Sequence, residues 1–165
     1  MGGTKLWEIL QAAGETRSIL NLATIHGFQT DNRGLRTFVL SDDISIRVNA
    51  VIAALQATGV FYQGIPGQKL VLEKIFYQLC NLSLAPVTLV FVFNGPGRPS
   101  IKRGTRVISR PLWLIDHLKK MITYFGFHFY DAPGEAEAEL AWLNAEDTMI
   151  FLPRTVTCLC LGRAL

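Results

Sequence analysis

The run Pro86-Val87-Thr88-Leu89-Val90-Phe91-Val92-Phe93 constrains this chain more than any other stretch. It is apolar almost throughout and rich in β-branched and aromatic residues, so it reads as a strand. A strand without polar alternation has to be covered on both faces, which is the situation of a parallel strand between two layers. Arg36-Thr37-Phe38-Val39-Leu40 and Phe127-His128-Phe129-Tyr130 read as further strands. Helical apolar patterns run over Ile44–Ala57, Leu70–Leu84 and Leu112–Phe125, and another helix opens after Pro133-Gly134. Pro133 suits the first helical position, where its missing N–H costs nothing. Leu6–Leu10 reads as a short amphipathic helix, and Gly14 to Gly34 and Phe61 to Gln68 read as loops. The expected fold is a three-layer α/β domain with a mostly parallel central sheet. At 165 residues, half of them hydrophobic, the chain forms one domain with a full core.

Acidic residues gather where these strands end. Asp42 and Asp43 follow the first strand and precede Ser45, so they either cap the next helix or hold a metal. Glu135, Glu137 and Glu139 alternate with alanines after Pro133-Gly134. Carboxylates crowded into a first turn repel one another; the helix dipole relieves part of this, and a divalent cation would relieve the rest. The plainer reading is a solvated acidic helix start. Ligands collect beyond the carboxyl ends of strands in open α/β sheets, which favours a site. Arg98, Lys102, Arg103, Arg106 and Arg110 form a basic stretch after the Pro86–Phe93 strand. Such a run is either a solvated face or a holder of phosphates. Lys69 and Lys74 read as surface lysines, and Lys119 and Lys120 as outward-facing.

Charge and cysteine usage narrow the classes. The net charge of +3 is mildly basic and fits a nucleic-acid partner without demanding one. Three cysteines are too few for a disulfide framework, and the three histidines have no zinc-ligand spacing. No apolar run reaches membrane-spanning length and no signal-peptide core is read, so a reduced intracellular compartment is expected.

The run Asp131-Ala132-Pro133-Gly134-Glu135-Ala136-Glu137-Ala138 resembles the internal motif of the XPG-type structure-specific nucleases, which include flap endonucleases and Holliday-junction resolvases. The start, Met1-Gly2-Gly3-Thr4-Lys5-Leu6-Trp7, is similar to that family's N-terminus, with Gly3 and Lys5 as departures. The resemblance implies a PIN-like, resolvase-like nuclease core over 1–147, with an N-terminal region of about 1–110 and an internal region of about 111–147. It implies magnesium, with manganese as a substitute, held by Asp43, Glu135 and Glu137. Asp42 is the lesser candidate. Asn94 stands where the family has an aspartate and is a weakened ligand, because magnesium prefers carboxylate oxygen. Lys102 or Arg103 matches the family's phosphate-holding lysine, and Arg110 its arginine. Arg47 departs from the apolar residue usual there. The implied activity is magnesium-dependent, structure-selective cleavage of flapped or branched DNA in the nucleus, serving repair and recombination. No membrane or small-molecule partner is implied. Asn94, together with the missing Asp-Ser-Asp motif of the tail, implies impaired catalysis in this chain. The alternatives are a non-catalytic DNA-binding remnant and an α/β interaction domain.

The tail, 148–165, does not follow the resemblance. The family has a strand ending in Thr-x-Asp-Ser-Asp, whereas this chain carries no acidic residue beyond Asp147. Leu152 to Arg163 can be encoded so that a neighbouring frame reads Thr-Glu-Asp-Ser-Asp-Leu-Ser-Leu-Phe-Gly-Ala. A frame slip near Thr148 is the expectation this supports.

Overall fold

The computed structural model describes residues 18–26, 38–58, 68–102, 104–107, 112–145 and 150–151. The expected Leu6–Leu10 helix, the Phe61–Gln68 loop apart from Gln68, and the tail beyond Phe151 lie outside these residues. The elements are α1 (Ile19–His26), β1 (Phe38–Asp43), α2 (Ile44–Ala57), α3 (Gln68–Leu82) and β2 (Val87–Phe93). They continue as β3 (Ile101–Lys102), β4 (Thr105–Arg106), α4 (Leu112–Tyr124), β5 (His128–Asp131), α5 (Ala136–Ala145) and β6 (Ile150–Phe151).

Four strands form one parallel sheet in the order β5-β2-β1-β6. β2 is central, and Leu89 to Phe93 are buried, as an apolar strand in such a sheet must be. Alternation along β2 sorts the layers. Leu89, Phe91 and Phe93 join the main core with Ile19, Val48, Ile75 and Leu118 from α1 to α4. Val92 packs instead with Ala132, Ala136 and Leu140, so α5 covers the opposite face. The result is the expected three-layer α/β domain with a parallel sheet.

Two local expectations are corrected. The Gly14–Gly34 segment is not all loop: α1 forms within it, because Ile19 and Ala23, one helical turn apart, are buried in the main core. Pro133 is not the first helical residue, since α5 begins at Ala136. On α3 the buried residues are Val71, Ile75, Leu79 and Leu82, while Phe76 is partly exposed and touches Phe125 edge-on.

The chain runs β1, β2, β5 across the sheet, then returns to β6 on the other side of β1. The winding direction therefore reverses at β1, and ligands of open α/β sheets bind beyond the strand ends at such a point. Two loops meet there. The Gly95 N–H donates to the Gly134 carbonyl at 2.8 Å and the Gly97 N–H to the Pro133 carbonyl at 3.0 Å. The backbones are so close that a Cβ on Gly95 would lie 1.7 Å from the Ala132 carbonyl oxygen.

Gly95→Ala should therefore destabilise the fold by about 3 kcal/mol, because a backbone atom cannot give way as a side chain can. Gly134→Ala should cost under about 1 kcal/mol, since its nearest neighbour would be 3.9 Å away. Thermal unfolding of the two variants checks the contrast.

Candidate nucleic-acid and metal site

Each acidic residue singled out in the sequence lies at the carboxyl end of the sheet. Asp42 and Asp43 are the last residues of β1, Asp131 ends β5, Glu135 precedes α5 and Glu137 is in its first turn. Asn94 follows β2. The topology brings these groups together, but each already has a partner.

Asp42 is buried and accepts from the Arg47 guanidinium, whose Nε lies 2.9 Å away and whose Nη2 also contacts it. Burial pushes the Asp42 carboxyl above its ordinary value, against the pull of Arg47. Arg47 lies 5.9 Å from the centre of the Phe91 ring and donates to Gln78. The arginine that departs from the family pattern is thus the partner of a buried acid.

Asp43 is the N-cap of α2: its Oδ1 accepts the Ser45 N–H at 2.7 Å. The capping alternative accounts for this oxygen. Burial raises the Asp43 pKa most; hydrogen bonds from Ser45 lower it, Asp42 raises it, and the positive charge of Arg98 lowers it.

Asn94 joins three elements. Its Oδ1 accepts the Ala136 N–H at 3.0 Å, satisfying an orphan donor at the start of α5. Its Nδ2 donates to Ser45 Oγ at 2.5 Å, across to the start of α2. Ser45 was not singled out as a site residue. The signal was present in its position two residues after Asp43, at the mouth of the next helix.

Lys102 stands between the two glutamates. Its Nζ is 3.0 Å from Glu135 Oε2 and 2.9 Å from Glu137 Oε2. These hydrogen bonds, Glu137's first, raise the Lys102 pKa. Lys102 lies on β3, which pairs with β4 in a hairpin turning at Gly104, whose φ of 76° favours glycine. The basic stretch holds this hairpin; Arg103 and Arg110 lie outside the described residues. Arg98 and Arg106 line a cavity of about 700 Å³ together with Ser45, Asn94, Leu114 and Leu118. The Arg98 Nε is buried there without a hydrogen-bond partner among the described residues.

Lys69, Lys74 and Lys120 are exposed, as expected. Lys119 is not: it is half-buried, donates to Asp131 at 2.7 Å, and lies 5.2 Å from the Phe93 and Phe129 ring centres. Pairing with an acid and two ring faces outweighs full hydration here.

Magnesium asks for near-octahedral oxygen ligands, and a site requires free carboxylates converging on one point. As they stand, Asp42 faces Arg47, both polar atoms of Asn94 are engaged, and an ammonium lies against Glu135 and Glu137. Among the described residues no three His, Cys, Asp or Glu side chains are grouped to hold a metal. The arrangement does not fit a divalent cation until Lys102 leaves.

Asn94→Ala should cost about 1–2 kcal/mol, the loss of a helix cap. Asn94→Asp should stay within about 1 kcal/mol of the parent, because a carboxylate also accepts from Ala136 and can accept the Ser45 hydroxyl proton. Urea unfolding of both variants measures the difference.

No family model matches the sequence, and no curated protein matches it. Solved structures do. A structure of the Holliday junction-resolving enzyme GEN1 with product DNA, Mg2+ and Mn2+ is 28% identical, covers 88% of this chain and has a TM-score of 0.60. The catalytic core of Rad2 with DNA substrate covers 87% at 22% identity, with a TM-score of 0.63. Human GEN1 with Holliday junction DNA covers 90% at 22% identity, with a TM-score of 0.57. The matches span 30%, 42% and 35% of those chains. This likeness gives the chain the nuclease-core fold of the XPG family, to which GEN1 and Rad2 belong.

Proposed function

We propose that this chain binds branched or flapped DNA through the carboxyl end of its sheet and the basic segment Arg98–Arg110, and that it cleaves DNA poorly. The observation that carries the second half is the double engagement of Asn94 with Ala136 and Ser45. A group that caps one helix and ties a second is held in place by its protein partners, and it lacks the charge of a carboxylate. Support for the first half comes from the fold shared with DNA-bound GEN1, from the net charge of +3, and from two arginines lining a cavity beside the strand ends.

Magnesium, or manganese in its place, is the cofactor this reading takes from the resemblance. Asp43, Glu135 and Glu137 are the residues that would hold it once Lys102 is displaced, and there it would supply activation of water and charge stabilisation for phosphodiester cleavage. What the chain itself supplies is positioning. Asn94 holds the entrance of α5 against α2, so Glu135 and Asp43 keep their relation. Arg98 and Arg106 offer positive charge to phosphate, as Arg103 and Arg110 do on the sequence pattern. The neighbouring-frame reading of the tail would add the Asp-Ser-Asp carboxylates. Work on nuclear DNA repair and recombination accompanies this reading. A second reading, an α/β interaction domain with a merely acidic helix start, is favoured by the internal pairing of Glu135 and Glu137 with Lys102.

Fluorescence anisotropy with labelled four-way junction, 5′-flap and linear duplex DNA separates the two. Branched DNA should bind more tightly than duplex, and affinity should fall at least tenfold between about 50 and 200 mM salt. No binding at low salt would leave the interaction domain standing. In magnesium, the chain should cut no faster than its Glu135→Ala variant. Cleavage should appear only when Asn94→Asp is combined with the neighbouring-frame tail. Clear cleavage by the chain as it stands would contradict the proposed impairment.

A further inference from the structure

We infer that Lys102 is a built-in counter-ion that takes the place of a divalent cation at the entrance of α5, so that the acidic end of the sheet is neutralised by the chain itself.

One ammonium reaches two carboxylates that the sequence places two residues apart, at 3.0 and 2.9 Å. Glu135 sits just before α5 and Glu137 in its first turn, and neither has another cationic partner among the described ion pairs. Both side chains point their Oε2 at the same nitrogen, which is the convergence a bound cation would also require. Lys102 is brought there by a separate element, the β3–β4 hairpin, and is about a third exposed, with its side chain at 36%.

The surrounding acids follow the same rule. Asp42 is paired with Arg47, and Asp131 with Lys119. Asp43 accepts from the Ser45 backbone and feels the charge of Arg98. Among the described residues, these five carboxylates are thus answered by four basic side chains and a helix N-terminus. Like charges this close would repel if left alone, and removing them from water adds to the cost. The chain meets that demand with side chains, and the Lys102–Glu137 pair is the least buried of them and therefore the most easily exchanged. Replacing its ammonium with an uncharged group of similar length leaves two carboxylates converging on an empty position, which attracts a hard cation with oxygen ligands.

This inference concerns cations only and uses no DNA, so it stands or falls separately from the DNA-binding reading. The test is thermal unfolding of the full chain across a magnesium and a manganese titration, for the parent, Lys102→Met and Lys102→Arg. The parent and Lys102→Arg should show no cation-dependent shift. Lys102→Met should melt lower than the parent without cation and regain roughly 3–6 °C at ten times its Kd for the ion. Adding Glu135→Gln and Glu137→Gln to Lys102→Met should abolish that gain. An equal shift in the parent, or no shift in a cooperatively folded Lys102→Met, overturns the inference. If Lys102→Met does not fold, manganese broadening of the parent's amide NMR signals decides. Signals of Gly134 to Glu137 that survive millimolar manganese support the built-in counter-ion, and their selective loss refutes it.

Discussion

The contact on which the rest of the structure depends is the seam between the loop after β2 and the loop after β5. Gly95 and Gly97 donate to the carbonyls of Gly134 and Pro133, and Asn94 caps α5 while donating to Ser45. These bonds close the carboxyl end of the sheet. They fix where α5 begins, and so where Glu135 and Glu137 point. They also explain why Pro133 lies outside the helix: its carbonyl is committed to Gly97 across the seam, and the helix starts only at Ala136. Glycine is required at 95 because a Cβ would meet backbone that has nowhere to go.

The electrostatics follow from this closure. Strand ends that gather acids need compensation, and the chain supplies it from several elements. Arg47 comes from α2, Lys119 from α4 and Lys102 from the β3–β4 hairpin. The buried Asp42–Arg47 pair is the one whose loss would be most costly, since removing one partner leaves a buried charge alone. The Lys102 pair is more open to water and correspondingly weaker. One end of the sheet therefore holds both a structural ion pair and an exchangeable one.

Much of the architecture was legible in the sequence because it rests on patterns that tertiary context does not override. The apolar run to Phe93 demanded two covered faces, and β2 is central. The Ile44–Ala57 pattern gave a helix with those bounds. The acids after β1 and before α5 lie together at the carboxyl end of the sheet, as their places after the strands implied. What was not legible depends on contacts between distant segments. Ile19, Leu22 and Ala23 have helical spacing, but the segment is short and set in polar sequence, and it is the burial of Ile19 and Ala23 in the core that fixes it as a helix. Lys119 reads as a surface residue until Asp131 and the rings of Phe93 and Phe129 are placed beside it. Asn94 reads as a defective ligand, whereas in the fold it is a cap and a tie. Lys102 reads as a phosphate contact, and its partners in the fold are carboxylates. The roles of Arg103 and Arg110 remain those of the sequence pattern.

The central claim is that the polar groups at the carboxyl end of this sheet are spent on one another. A crystal structure of the full chain grown in high magnesium tests it most directly. The account predicts Lys102 Nζ lying between Glu135 and Glu137, Asn94 still bonded to Ala136 and Ser45, and no metal among them. An ion at about 2.1 Å from oxygens of Asp43, Glu135 or Glu137, with Lys102 turned away, would contradict it.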